Sequence, residues 1–243
     1  MGRVTQQLIT TALLIAGCAY LPAAQESTST LTKEDVPAEV RALTLEIVTG
    51  ISEDSLQIIA LYDWLTSNIR YDGAGTGGQR INRSAADVLR RRKAICFGYA
   101  QLLQQMCTVL DIPAHVISGY SNQSGRGNAS QAPDHAWNAV CFNDQWRLID
   151  ATWGAAQTGK RQNSQQAWLF VAPEEFLSSH LPAQPVWQLL DCPVDRQWQP
   201  SLPCGYHDTL QQFLALPPAQ RKLEEARMAF GFHPTEANRT EFL

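Results

Sequence analysis

Three residues of this chain carry side chains that together suit nucleophilic acyl transfer: Cys96, His135 and Asp150, met in that order. A thiol attacks a carbonyl only as its thiolate, and it loses its proton most readily beside a histidine or at the N-terminus of a helix. The histidine works as a base when a carboxylate holds one ring nitrogen and leaves the other for the sulfur. Each residue alone has a plainer reading. A cysteine in an apolar run is usually a small core residue, a strand histidine is commonly half-buried and satisfied, and Asp150 suits a turn or a helix cap. Only their conjunction, in elements able to bring them together, points to chemistry.

Those elements can be read from spacing. From Tyr99 the apolar positions Leu102, Leu103, Met106, Val109 and Leu110 recur at intervals of three, four and seven, which predicts a helix with one buried face. Asp111-Ile112-Pro113 ends it. Cys96 then falls in the first turn, where unpaired N–H groups and the macrodipole favour a negative sulfur. Its own N–H is a candidate oxyanion donor, with the second donor unassigned. Residues 135–142 and 145–153 read as strands joined by Asn143-Asp144, a pair suited to a two-residue hairpin. With Phe142 opposite Gln145, Trp137 lies opposite Asp150 and His135 opposite Thr152. His135 and Asp150 then share a face as diagonal neighbours about 7–8 Å apart, and a one-residue slip would part them. Around this unit, two helices are expected within 37–69, a strand or turn at Tyr71 and a short helix over 84–89. Two amphipathic helices are expected over 208–216 and 218–230, with the Trp-rich stretch 168–198 packed across the core. The Gly-, Ser- and Asn-containing loop 121–133 adjoins His135 and is a candidate flap. The class is α+β, with a nucleophile helix packed on an antiparallel sheet.

The stretches Ala94-Ile95-Cys96-Phe97-Gly98-Tyr99-Ala100, Asp134-His135-Ala136-Trp137-Asn138 and Leu148-Ile149-Asp150-Ala151-Thr152-Trp153 together resemble the transglutaminase-like superfamily. Trp64 to Asp72 and Asp111 to Tyr120 add to the match. Pro173-Glu174-Glu175-Phe176-Leu177-Ser178-Ser179-His180-Leu181-Pro182, with Pro185-Val186-Trp187-Gln188-Leu189-Leu190, is similar to the branch related to kyphoscoliosis peptidase. The resemblance covers about residues 56–190. It implies a papain-like core and catalytic roles for Cys96, His135 and Asp150, with Tyr71 and Gln79 as upstream oxyanion candidates. It also implies acyl transfer from peptide or glutamine-type amides through a thioester, ending in hydrolysis when water is the acceptor and in cross-linking when an amine is. Some members of the superfamily have lost activity and serve as scaffolds, so the alternative is an inactive binding module at the cell envelope.

Other reactive side chains read as structural. Cys107 falls on the helix face of Leu103 and Leu110, which suits a buried thiol; it and Cys141 are either paired or simply buried. His115 alternates along a strand, and His180, His207 and His233 sit in no ligand-like spacing. The glycines at 73, 75, 77 and 78 are followed by no Gly-Lys-Ser/Thr, and neither a Cys-x-x-Cys nor a His-Glu-x-x-His occurs. No metal or other cofactor is called for. Arg90-Arg91-Arg92-Lys93 reads as a solvated helix end. A net charge of −4 without clustered aromatic-basic patches argues against nucleic-acid binding.

The N-terminal end bears on location. Arg3 precedes a short apolar stretch, residues 8–16, suited to a secretory signal, and Ile15-Ala16-Gly17-Cys18 resembles a bacterial lipobox. That resemblance implies removal of residues 1–17, lipidation of Cys18 and a tethered protein. Ala19 favours the outer membrane, facing the periplasm. Residues 18–35 are expected to be a tether, 36–190 the catalytic domain and 191–243 a C-terminal, helical extension packed on it. Of six cysteines, Cys192 and Cys204 flank a Pro-rich stretch and form the expected disulfide, leaving Cys96 as the natural free thiol. Expected partners are peptide or protein substrates, with peptidoglycan stem peptides among those compatible, and the membrane through the lipid anchor.

Overall fold

The computed structural model describes residues 31–73, 84–121, 133–157, 165–195 and 206–232. Helices α1 (Ala38–Ile47) and α2 (Asp54–Asn68) lead to a two-residue strand β1 (Arg70–Tyr71), which pairs in parallel with β2 (Lys93–Ala94) across helix α3 (Ala85–Arg91). Ser84 caps α3 by accepting the Asp87 N–H. The helix stops at Arg92, which takes the left-handed conformation, and the basic run 90–93 is exposed, as a solvated helix end should be. Helix α4 (Cys96–Val109) follows at once and ends where Asp111 turns left-handed before Pro113.

Strands β3 (Ala114–Ser121), β4 (His135–Phe142), β5 (Gln145–Ile149) and β6 (His180–Pro182) form one antiparallel sheet in the order β5-β4-β3-β6. Asn143 and Asp144 both adopt positive φ, 49° and 56°, the conformation a tight two-residue hairpin turn requires. They set Phe142 opposite Gln145, and the pairing runs in step to Asn138 opposite Ile149. One expectation fails here. The second strand does not run to Trp153: it stops at Ile149, and helix α5 (Ala151–Gln157) begins directly after Asp150, so His135 has no Thr152 opposite it. The cause is Asp150, whose Oδ1 accepts the Thr152 and Trp153 N–H groups at 2.8 and 3.0 Å and so starts a helix.

Apolar clusters fill both faces of the sheet. Val140 and Ile149 pack with Leu61, Leu65, Leu102, Leu103 and Met106 of α2 and α4. On the other face Ile117, Trp137, Ala139 and Leu148 meet Phe176, from helix α6 (Pro173–Phe176), and Trp187. Leu210 and Phe213 of helix α7 (Tyr206–Ala215), with Met228 of helix α8 (Pro218–Phe232), complete that layer. The C-terminal helices thus pack on the sheet. Of the Trp-rich stretch, Trp168 stands edge-on to Trp153 and Trp187 is buried against Trp146 and Phe213. At the end of the expected tether, Leu31 packs on the core and Lys33 pairs with Asp111, and Val36 beyond it is buried. No helix among the described residues is long and apolar enough to cross a membrane.

Candidate active site

Cys96 is the first residue of α4, preceded by Ile95 in extended conformation. The sulfur therefore sits among the helix's unpaired N–H groups. Two hydrogen bonds fix that helix end to the rest of the fold: the Tyr99 hydroxyl donates to the Ile69 carbonyl, and Asn138 Nδ2 of β4 donates to the Ala100 carbonyl at 2.9 Å. Cys96, Ala100 and Ala136 pack together, so the start of β4 lies against the first turn of α4.

His135 reaches the sulfur from β4, and Asp150 reaches the same ring from the end of β5. His135 Nε2 and Asp150 Oδ2 are 2.7 Å apart. This is the juxtaposition the hairpin register implies, since both residues lie on the Trp137 face of the sheet. With Nε2 on the carboxylate, Nδ1 is the nitrogen left for the Cys96 thiol, to which His135 is hydrogen-bonded. Asp150 is wholly buried, whereas Cys96 and His135 each keep 8 % exposure, so the carboxylate is sealed behind the histidine while the thiol–imidazole pair keeps a narrow exposed edge.

The electrostatics follow from these contacts. Burial alone would discourage ionisation of Cys96, but the hydrogen bond and charge of His135, with the backbone of Ala136 and Phe97, outweigh it and hold the thiol below its ordinary value. Burial would lower the His135 value, yet the Asp150 charge and hydrogen bond, helped by Cys96, raise it well above the usual imidazole range. Asp150 is driven the other way: burial opposes its charge, and His135 and then His180 more than compensate, keeping it ionised. Cys107, eleven residues further along the same helix, is a control within the molecule. It is an unpaired thiol like Cys96, but burial alone acts on it and pushes it up to about 12. These contacts favour a thiolate–imidazolium pair backed by a carboxylate.

Other expected positions fall as follows. Tyr71 lies opposite Ala94, two residues before Cys96, and is half-exposed. Gln79, Cys18, Cys204, His233 and most of the candidate flap, residues 122–132, lie outside the described residues. Cys192 is disulfide-bonded, and so is Cys141, for which pairing and plain burial had both stood open. His115 is packed between Trp146 and Trp187, and burial lowers it to about 4, in keeping with a core histidine.

His180 does not fit the structural reading its spacing suggests. Its Nε2 lies 3.0 Å from the same Asp150 Oδ2 that His135 uses. The contact has no sequence spacing to betray it, because 30 residues and two elements separate the pair. The one available signal was a histidine leading the apolar stretch Leu181 to Ala183. Asn138 was missed for the same reason, as a polar residue on an apolar strand. His135, Asp150 and His180 each offer a ligand atom within 4.8 Å of the others, the donor set of a small cation site. A cation there would take the carboxylate oxygen from both imidazoles, which are at hydrogen-bond distance from it.

Comparison with known proteins decides the lineage. The transglutaminase-like superfamily profile matches residues 41–151, a span that includes Cys96, His135 and Asp150. Kyphoscoliosis peptidase of Homo sapiens is 32 % identical over 178 residues, covering 68 % of this chain and 26 % of the relative. The chain belongs to the transglutaminase-like superfamily. Kyphoscoliosis peptidase of Mus musculus is 30 % identical over 185 residues, covering 71 % of this chain and 27 % of the relative. The chain thus spans about a quarter of the length of these two relatives, on whose branch it lies. A solved structure described as a TGase is 21 % identical over 51 % of this chain and 34 % of its own, with a TM-score of 0.38.

Proposed function

We propose that the protein is a cysteine-nucleophile acyl-transfer enzyme acting on peptide or glutamine-type amides through a thioester. The observation that carries this is the chain of contacts from the Cys96 thiol through His135 to a buried, ionised Asp150. The Cys96 thiolate adds to the amide carbonyl carbon. As the C–N bond breaks, His135 gives its Nδ1 proton to the departing amine and becomes neutral. Water or a second amine then attacks the thioester, His135 takes up the attacker's proton, and the thiolate–imidazolium pair returns. The Cys96 N–H, at the start of α4, is the candidate donor to the oxyanion that forms beside the sulfur. The two relatives named above are called peptidases, which favours water as the acceptor.

The lipobox-like stretch ending at Cys18 supports extending this proposal to an envelope-anchored enzyme, meeting peptide or protein substrates in the periplasm, peptidoglycan stem peptides among them. Cys18→Ser is expected to abolish incorporation of radiolabelled palmitate and leave an unprocessed precursor; normal processing would point to an ordinary signal.

The test of the chemistry is the pH dependence of iodoacetamide labelling at Cys96, read by peptide mass spectrometry with Cys107 as internal control. Labelling of Cys96 is expected to reach half its plateau below about pH 8.5, the midpoint of a free thiol, while Cys107 stays unlabelled in the folded protein. In His135→Ala, only the Ala136 and Phe97 backbone remains to oppose burial, and the midpoint is expected to move above its value in the parent. A Cys96 midpoint at or above that of a free thiol in both proteins would leave the binding-module alternative.

A further inference from the structure

The Asp150 carboxylate has its acceptor sites filled by four donors. Oδ1 takes the Thr152 and Trp153 N–H groups, and Oδ2 takes His135 and His180. Three of these contacts belong to the capped helix or to the base. The fourth comes from β6, an edge strand held to β3 by Ser121 opposite His180 and Gly119 opposite Pro182. The His180 ring is fully buried, stacked on Phe176 at 4.1 Å between centroids and against Trp153 at 4.3 Å.

The tautomer of this ring follows from its partners. An ionised carboxylate can only accept, so His180 Nε2 must carry a hydrogen. Nδ1 lies 2.8 Å from the Ser179 hydroxyl, which can donate to it. A neutral ring protonated at Nε2 therefore satisfies both ends. Burial holds His180 below its ordinary value; Asp150 and the Phe176 backbone oppose this, and the His135 charge adds to it. Asp134, which directly precedes β4, turns to the Ser121 N–H.

We propose that His180 is a positioning residue of the site: its Nε2–H, donated to the oxygen that receives His135, fixes the Asp150 carboxylate so that His135 presents Nδ1 to Cys96. A second donor on one oxygen also draws charge from it. It limits how firmly Asp150 holds the His135 proton, which a general acid must be able to release. That last consequence rests on the acyl-transfer proposal above, whereas the hydrogen-bond assignment does not.

The test is long-range imidazole NMR on 15N-histidine-labelled protein between pH 5 and 11, for the parent, His180→Phe and His180→Gln. In the parent, His180 is expected to titrate below an ordinary histidine and, once neutral, to carry its hydrogen on Nε2. A ring protonated at Nδ1, or one titrating near an ordinary histidine, would overturn the proposal without recourse to any variant. His180→Phe keeps an aromatic ring but no donor, and His135 is then expected to hold its proton about tenfold more tightly. His180→Gln, which carries an N–H to similar reach, should restore the parent behaviour. A purely structural role predicts the opposite, with His135 drifting toward the ordinary histidine range in both variants. If the NMR results are as expected but Cys96 alkylates like a free thiol, the acyl-transfer proposal fails and the His180 assignment stands.

Discussion

Asp150→Asn leaves the protein folded and reduces iodoacetamide labelling of Cys96 at pH 7 by about 100-fold or more. The amide can keep the cap, because its oxygen still accepts the Thr152 and Trp153 N–H groups. Its NH2 then replaces Oδ2 between two imidazoles, and two hydrogens can serve both rings if each gives up its own hydrogen at Nε2. His180 can do so, since the Ser179 hydroxyl on its other side can accept as well as donate. His135 can do so only by placing its hydrogen on Nδ1, against the sulfur. It is then unable to take the thiol proton. Each rise of one in a thiol's pKa removes tenfold of its thiolate below that pKa, and burial without the ion pair carries Cys107 to about 12. On an amide substrate, where the same ring must also protonate the leaving amine, the loss grows to about 10³–10⁴-fold. Circular dichroism with an unchanged cooperative melt checks the fold. Undiminished labelling would remove Asp150 from the site.

Gly119→Ala produces a large loss of stability. Gly119 lies between His135 on β4 and Pro182 on β6 in the sheet. A Cβ there would come within 2.3 Å of both the Leu181 carbonyl oxygen and Trp137 Cη2. Neither can yield cheaply, because one is backbone in the neighbouring strand and the other belongs to a tryptophan that is 1 % exposed. Overpacking a filled interior costs about 1–3 kcal/mol and occasionally more. The upper end is expected here, corresponding to a fall in melting temperature of roughly 6–12 °C for a chain of this size. Because the clash pushes β6 from β3 and Trp137 from its seat, it also displaces His180 and His135, and Cys96 labelling should slow in parallel. Gly231→Ala is the control. A Cβ there meets nothing within 4 Å, it lies in α8, and helix propensity favours alanine by up to about 1 kcal/mol. A melting temperature for Gly119→Ala equal to that of Gly231→Ala would show that the sheet accommodates the methyl group.

Much of the site was legible because its signals are local. Helix periodicity after Tyr99 put Cys96 in a first turn, where it is found. Asn143-Asp144 determined a hairpin register that needs no information beyond two residues, and that register brings His135 near Asp150. The error at Asp150 is instructive in the same terms. Its two readings, helix cap and orienting acid, were weighed as alternatives, and the residue does both: one oxygen starts α5 and the other holds His135. A strand continued through Thr152 would have left Oδ1 without the helix N–H groups that hold the carboxylate still.

The amino-acid sequence by itself determined the nucleophile helix, the base–acid hairpin and the membership of the chain in its superfamily, because periodicity, turn chemistry and motif words are all properties of short windows. Tertiary structure decided the rest. Only the packing of β6 beside β3 delivers His180 to Asp150 across 30 residues, and only the contact with His135 separates Cys96 from Cys107, two buried thiols on one helix driven in opposite directions. Both outcomes depend on which groups share a low-dielectric interior, and that is a property of the folded chain rather than of any window within it.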